Sequence, residues 1–345
     1  MIKASSIHID VNKYFNRMKK INIIFAIMTA LLVCVSCSSD WEDEQFMNLV
    51  SLKATPNAQG VTPIYLRYKE NGEVTYQLPL IVSGSTKNDK QMSVSVAIDS
   101  DTLIALNEER FSTRTELYFK ELTSQFYSMP QTADIMAGEN KGLLPITFSF
   151  AELDLVEKWV LPVTILDSSS GSYLVNMRKN YRKALLRVFP FNDYSGNYSS
   201  TAFMVFFKGS TSGGISTDTK VAYVVDENTV FFYAGLIDED RSDRRHYKIF
   251  VRFNDDEGQT LTIYADNPDI NLNVIGTPIY SITESMDETL PYLMNRNIIL
   301  EIEYEYTDYT TVEGLQIDYH VVGSLALQRR INTQVPDEDQ AIIWD

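Results

Sequence analysis

The sequence predicts an all-β protein: an N-terminal immunoglobulin-like β-sandwich followed by a C-terminal antiparallel module, either a calycin-like β-barrel or a second sandwich. Three observations predict it. Apolar and aromatic residues alternate with polar ones at a period of two along most of the chain, the pattern of strands with one buried face. The alternating runs are separated by short clusters of serine, asparagine, aspartate and glycine, which make tight turns. Helical periodicity is confined to one short stretch, so strands do not alternate with the crossover helices of a parallel sheet.

The first element is a leader. Met18-Lys19-Lys20 precedes an apolar run over 21–35, and Ser36-Cys37-Ser38-Ser39-Asp40 follows it. A charged n-region, an apolar h-region and a small residue before the cleavage point are what a secretory signal requires, and the Cys37 thiol can accept a diacylglyceryl group. Residues 1–36 are therefore expected to be a signal peptide with Met18 as its true start, and the mature chain to begin at a lipidated Cys37. The apolar run falls short of the roughly 20 residues of a membrane-spanning helix. Cys34, preceded by Val33, is the poorer acceptor. Residues 37–48 are acidic and without period, and read as a tether between the lipid and the folded body.

Cleavage changes the charge balance. The leader holds five basic residues against Asp10, so a formal charge of −16 becomes about −20. Such a surface repels nucleic acid and polyanionic ligands and favours neutral or cationic partners. Both cysteines, Cys34 and Cys37, fall in the export signal. An acylated Cys37 leaves the body no disulfide, thiolate metal site or cysteine nucleophile. Beyond Cys37 only His246 and His320 remain, in no metal-ligand spacing. Neither a cofactor nor a bound metal is expected.

The sandwich is expected over 49–189. Tyr76, Leu78, Leu80 and Val82 share one face of a strand that ends at Ser83-Gly84-Ser85, and Val94, Val96 and Ile98 repeat the pattern. Ile146, Phe148 and Phe150 alternate with Thr147 and Ser149, and 159–166 is another strand-like run. One short helix is expected over 103–109 after an Asp101 or Thr102 cap. At 189–196 proline, asparagine and glycine break the pattern, which places a boundary there. The second module is expected over 190–345, with strands near 198–207, 220–226, 229–236, 247–253, 260–265, 278–283, 297–306 and 315–328. The runs Asp226-Glu227-Asn228 and 254–258 suit hairpin turns. Eight strands on short turns suggest a closed barrel, with the two-sheet sandwich as the alternative.

Tyrosine and phenylalanine together supply 37 residues, and rings suit carbohydrate because the C–H face of a sugar stacks on them. Strand phase assigns many of these rings to the core. Tyr304 and Tyr306 share a face with Leu300 and Ile302, Tyr247 with Ile249, Val251 and Phe253, and Tyr319 with Ile317 and Val321. Rings in turn-like contexts are the better ligand candidates, namely Tyr292, Tyr309 and Tyr127, each with the alternative of packing under its own loop. Glu301, Glu303 and Glu305 read as a solvated strand face that discourages edge pairing. The runs 238–240 and 255–258 read as solvated turns, with calcium binding through hard oxygens as the alternative. His320 is expected to be structural. No phosphate loop, dinucleotide fingerprint, Gly-x-Ser-x-Gly elbow or His-Glu-x-x-His is present, and no catalytic residue is assigned.

Several stretches form a familiar set. They are Leu117-Tyr118-Phe119-Lys120-Glu121-Leu122 followed by Tyr127, then 133–139, Lys158-Trp159-Val160-Leu161-Pro162-Val163 and Asn180-Tyr181. Together they resemble the N-terminal domain of Bacteroidota surface lipoproteins encoded with polysaccharide utilisation loci, a domain that also precedes family-18 glycosidase-like modules. The half from Phe191-Asn192-Asp193-Tyr194-Ser195-Gly196 to the terminal Ile343-Trp344 resembles the domain that accompanies it. The resemblance implies a glycan-binding role beside an outer-membrane importer. The family-18 motif Asp-x-x-Asp-x-Asp-x-Glu is absent, so no glycosidase activity carries over. The acidic run 40–44 resembles the surface-export signals of the same phylum and implies display on the cell exterior.

The sequence thus supports a non-catalytic, lipid-anchored surface protein of the outer membrane that binds oligosaccharide or polysaccharide next to an importer and companion lipoproteins. The alternative is an accessory lipoprotein that docks onto a transporter or partner lipoprotein and binds no glycan.

Overall fold

The computed structural model describes residues 47–70, 72–178 and 180–334. The leader, Cys37 and nearly all of the tether lie outside the described residues, as does 335–345. The chain divides into two compact units. One takes in the described residues 47–48 with 84–87, where the Asn48 amide donates to the Thr86 hydroxyl at 3.5 Å. The other, built on 49–83 and 88–334, carries every strand among the described residues.

The first half of that unit is a pair of facing sheets. One orders Leu174–Val175, Leu49–Leu52, Glu73–Ser83, Lys141–Ser149 and Tyr127–Ser128; the other orders Thr62–Arg67, Lys183–Phe191, Trp159–Ile165, Met92–Ile98 and Thr132–Ile135. Alternation sets the core: Leu78, Leu80, Leu144, Ile146 and Phe148 from the first sheet meet Val94, Leu161, Ile165 and Leu186 from the second. Each such side chain contributes about 1.5–3 kcal/mol by leaving water.

Trp159–Ile165 and Lys183–Phe191 are buried on both faces because a helix covers the outer side of their sheet. That helix spans Ser100–Phe111. Leu103, with Leu106 and Phe111 at its margin, packs on Val61, Phe119, Val160 and Leu185. The expected range of 103–109 and the Asp101 or Thr102 cap are corrected: Asp99 is the cap, its carboxylate accepting from the Thr102 N–H at 3.4 Å and the Thr102 hydroxyl at 2.7 Å. The polar first turn, Ser100-Asp101, carries no apolar period, which is why pattern alone starts the helix late.

The second half is one curled sheet. Its order is Leu261–Tyr264, Lys248–Phe253, Thr229–Tyr233, Thr219–Val224, Gly196–Ser199, Ile317–Asn332, Leu293–Asp308 and Asn273–Val274. Ile279–Met286 also pairs with Leu293–Asp308. A bridge between Thr260 and Ile279 then joins the two flanks, so the sheet is a nearly closed barrel. The single strand expected over 198–207 is two, Gly196–Ser199 and Phe203–Phe207. The Ser200 hydroxyl turns aside to the Thr217 carbonyl at 2.6 Å, and Phe203 N–H closes a turn on Ser200 O at 3.0 Å.

Inside the barrel Tyr198, Phe203, Phe232, Tyr247, Ile249, Val251, Ile298, Leu300, Tyr304 and Tyr306 are buried, so the phase reading of Tyr247, Tyr304 and Tyr306 holds. Buried phenols need partners. Tyr198 donates to Tyr194 O at 2.6 Å, Tyr247 donates to Asp308 at 2.8 Å, and Tyr304 accepts from Gly235 N–H at 3.1 Å.

The reading of Glu301, Glu303 and Glu305 as protection for an edge is corrected. Leu293–Asp308 is not an edge strand: Ile317–Asn332 pairs along one side, and Ile279–Met286 and Asn273–Val274 pair along the other. Glu303 meets His320 Nε2 at 2.8 Å and Glu305 meets Lys208 at 2.9 Å. Gly323 sits at φ +139, and a Cβ there would lie 1.9 Å from the Ala202 carbonyl oxygen. Gly323→Ala is therefore expected to lower stability by about 1–3 kcal/mol, read as a shift in the denaturation midpoint at unchanged slope.

Candidate functional site

The outward face of the barrel carries a row of aromatic rings. In Lys248–Phe253, Ile249, Val251 and Phe253 point inward, so Phe250 points out. Register places Phe250 opposite Phe231 on one side and Tyr264 on the other, and Phe231 opposite Tyr223. The four rings contact in sequence across four adjacent strands, with centroid separations of 5.1 Å from Tyr223 to Phe231, 6.0 Å to Phe250 and 5.0 Å to Tyr264. Tyr223 and Phe231 are 8% and 4% exposed, whereas Tyr264 is 43% exposed. The row thus runs from a buried junction out to solvent. Its outer pair is stacked and nearly parallel, with 9° between the Phe250 and Tyr264 planes.

Beside this pair lies a cleft of about 300 Å³. The barrel supplies Val224, Phe231, Lys248 and Phe250, and the sandwich supplies Tyr68, Phe150, Glu152, Asp154 and Pro190. Tyr68 stacks on Phe150 at 6.5 Å. Glu152 is held at φ +65, a conformation that non-glycine residues adopt only under local constraint. Lys248 sits 5.2 Å from the Phe250 ring centre and pairs with Asp266 at 2.5 Å. Burial, then Asp226 and Glu227, hold the Tyr68 hydroxyl above the usual phenol range. Burial and then Asp226 do the same for Tyr264, against an opposing Arg252. Both hydroxyls therefore remain neutral donors at physiological pH. The cleft combines apolar ring and aliphatic surface with neutral hydroxyls and the Glu152 carboxylate, while Asp154 is paired with Arg245, which suits a neutral polyhydroxylated ligand better than an anionic one.

The buried end of the row is fixed by ions. Tyr223 donates to Glu239 at 2.8 Å. Glu239 also pairs with Arg187 at 3.2 Å and lies 3.9 Å from the Lys158 ammonium, which meets Asp240 at 2.9 Å. The expectation of a solvated turn at 238–240 is corrected for Glu239, which is an ion of the buried junction. In the other acidic turn Asp256 accepts from Thr260 N–H at 2.9 Å. Among the described residues no cluster of three or more His, Cys, Asp and Glu side chains is placed to hold a metal.

None of the three tyrosines singled out by sequence lines the cleft. Tyr292 and Tyr309 flank opposite ends of the 16-residue strand Leu293–Asp308, about 50 Å of extended chain apart. Tyr292 is half-buried in a turn, its carbonyl accepting from Thr333 N–H at 2.9 Å. Tyr309 packs against the barrel core, with its hydroxyl accepting from Asn267 at 2.9 Å. Tyr127 is half-buried in the sandwich and pairs with Phe148. Sequence reasoning passed over Phe250 and Tyr264, although Phe250 stands out of phase with the apolar run around it. That was the available signal.

Comparison with known proteins fits this architecture. Residues 41–169 match the family profile of a domain of unknown function, DUF4973, and 182–326 match a second profile described as "-like, C-terminal". A Bacteroides ovatus protein of unknown function is 46% identical, with 86% of this chain and 100% of that one covered at a TM-score of 0.77. A Bacteroides thetaiotaomicron protein described as an auxiliary nutrient binding protein is 43% identical, with 84% and 97% covered at 0.76. A further Bacteroides ovatus protein of unknown function is 38% identical, with 85% and 96% covered at 0.76. The chain belongs to this two-domain family of unknown function. No curated protein matches it.

Proposed function

We propose that the protein is a non-catalytic glycan receptor of a nutrient-uptake system, which captures neutral oligosaccharide or polysaccharide on the Phe250–Tyr264 pair and the cleft beside it. The observation that carries this reading is the aromatic row emerging from a rigid junction into solvent. Rings held on paired strands are already ordered, so little conformational freedom is lost on binding. A relative described as an auxiliary nutrient binding protein supports the nutrient part of the reading. The export signal ending at Cys37 supports the rest: a lipidated chain on the outer-membrane exterior, handing its ligand to an importer and companion lipoproteins. The two modules over 49–189 and 190–345 then act together, because the cleft draws on both.

Affinity electrophoresis and calorimetry with neutral plant and host glycans test this. Tyr264→Ala is expected to weaken binding by about tenfold, roughly 1.4 kcal/mol, while Tyr292→Ala leaves it unchanged. Retention of none of the glycans, or equal binding by the Tyr264 variant, removes the reading. Co-purification of a partner after mild detergent extraction without any glycan affinity would favour the docking alternative. Fatty-acid labelling and protease treatment of intact cells check the anchor and its orientation.

A further inference from the structure

A second cavity, of about 600 Å³, opens in the sandwich, away from the aromatic cleft. It is walled by Asp99 and Thr102 at the start of the helix, by Arg178 and Asn180, and by Arg182 and Lys183 leading into Lys183–Phe191. Three cations and one carboxylate line it, in a chain whose overall charge is −16. The carboxylate is already answered: Lys183 Nζ lies 2.6 Å from Asp99 and 2.7 Å from the Thr102 hydroxyl. Arg182 is held in place, Nε donating to Ile165 O at 3.0 Å and a terminal nitrogen to Asp167 at 3.1 Å. Arg178 is exposed, and among the described residues its guanidinium has no ion pair. The cavity therefore keeps one unanswered positive charge beside a fixed guanidinium, an amide at Asn180 and the hydroxyl of Thr102.

We propose that this cavity binds the carboxylate of a singly charged acidic saccharide, with Arg178 as its ion-pairing group and the Asn180 amide meeting the neighbouring hydroxyls, to which Thr102 can offer only its remaining lone pair. A planar guanidinium matches a carboxylate through two parallel hydrogen bonds. The volume suits one or two sugar residues. A single charge fits better than a polyanion, because the acidic surface as a whole repels a chain of anions. The site is separate from the aromatic cleft and has the opposite charge preference.

Calorimetry with two matched pairs tests it: glucuronic acid against glucose, and cellobiouronic acid against cellobiose. At low salt each acid is expected to bind at least tenfold more tightly than its neutral counterpart, and the advantage to shrink as salt rises. Arg178→Ala should abolish the advantage and Arg178→Lys should restore part of it. Tyr264→Ala should leave it intact, so that loss of the aromatic cleft and loss of this site are told apart. Absence of any preference for either acid overturns the proposal, as does a preference that survives Arg178→Ala or disappears in Tyr264→Ala.

Discussion

Replacing Glu239 with glutamine is expected to lower the unfolding free energy by about 3 kcal/mol, at the lower end of the 3–5 kcal/mol range for breaking a buried ion pair. The isostere keeps the volume and can still accept from Tyr223, but it removes the negative charge that, among the described residues, pairs with Arg187. The Arg187 and Lys158 side chains are 7% and 6% exposed, so water cannot replace the lost partner, whereas Glu239 at 28% sits at the rim. Three features hold the loss to the lower end. Arg187 keeps Gln59 at 2.9 Å, its guanidinium stays 4.4 Å from the Phe189 ring centre, and Lys158 keeps Asp240.

Burial alone would raise the Glu239 carboxyl. Arg187, Lys158 and the Tyr223 hydroxyl outweigh it and hold the group below 4.5. A lowered folded value means the stabilisation is present above about pH 4.5 and is lost as pH falls through the folded pKa. The gap between wild type and Glu239→Gln should therefore close in acid. Adding Arg187→Met should return part of the loss, because a deleted pair leaves no orphan charge. Urea denaturation of the four proteins of the cycle measures this, and a single-variant effect below about 1 kcal/mol would mean that water reaches the junction.

The same junction shows why the fold was more legible than the site. Strand phase is local: Tyr304 and Tyr306 can be placed in the core from Leu300 and Ile302 alone, and the structure buries all four. The aromatic row is a property of register. Phe231, Phe250 and Tyr264 stand on three strands, and only the pairing of those strands makes them neighbours. Within any one strand Phe250 is a single ring out of phase. Glu239 was unreadable for a related reason, since Asp238-Glu239-Asp240 has the composition of a solvated turn, and its partners Lys158 and Arg187 arrive from the other half of the chain. Tyr292 and Tyr309 are candidates on sequence because loops at the end of a β scaffold carry function, yet one is held by its backbone in a turn and the other by packing on the core.

Wild-type stability is expected to rise with pH from about 7 towards 10 by up to about 4 kcal/mol relative to Lys220→Met. Lys220 is 5% exposed, and its ammonium donates to the carbonyls of Tyr233 and Ile237, each at 2.8 Å. Burial lowers its pKa to about 7 against a weaker opposing pull from Asp238. The unfolded chain keeps this proton up to about pH 10.5, so between the two values the unfolded state binds more protons and stability must climb with pH. Below pH 7 both states are protonated, and the burial penalty is constant and complete. The methionine variant lacks this titration but leaves the two carbonyls without their donor, so it should gain on wild type in mild acid and fall behind in base. Ionisation of the many tyrosines occurs in both proteins and cancels in the difference. Guanidinium titrations of both proteins at pH 6.5, 8 and 9.5 decide it: a difference that stays flat across the three would show that Lys220 remains charged in the fold, held by the two carbonyls strongly enough to overcome its burial.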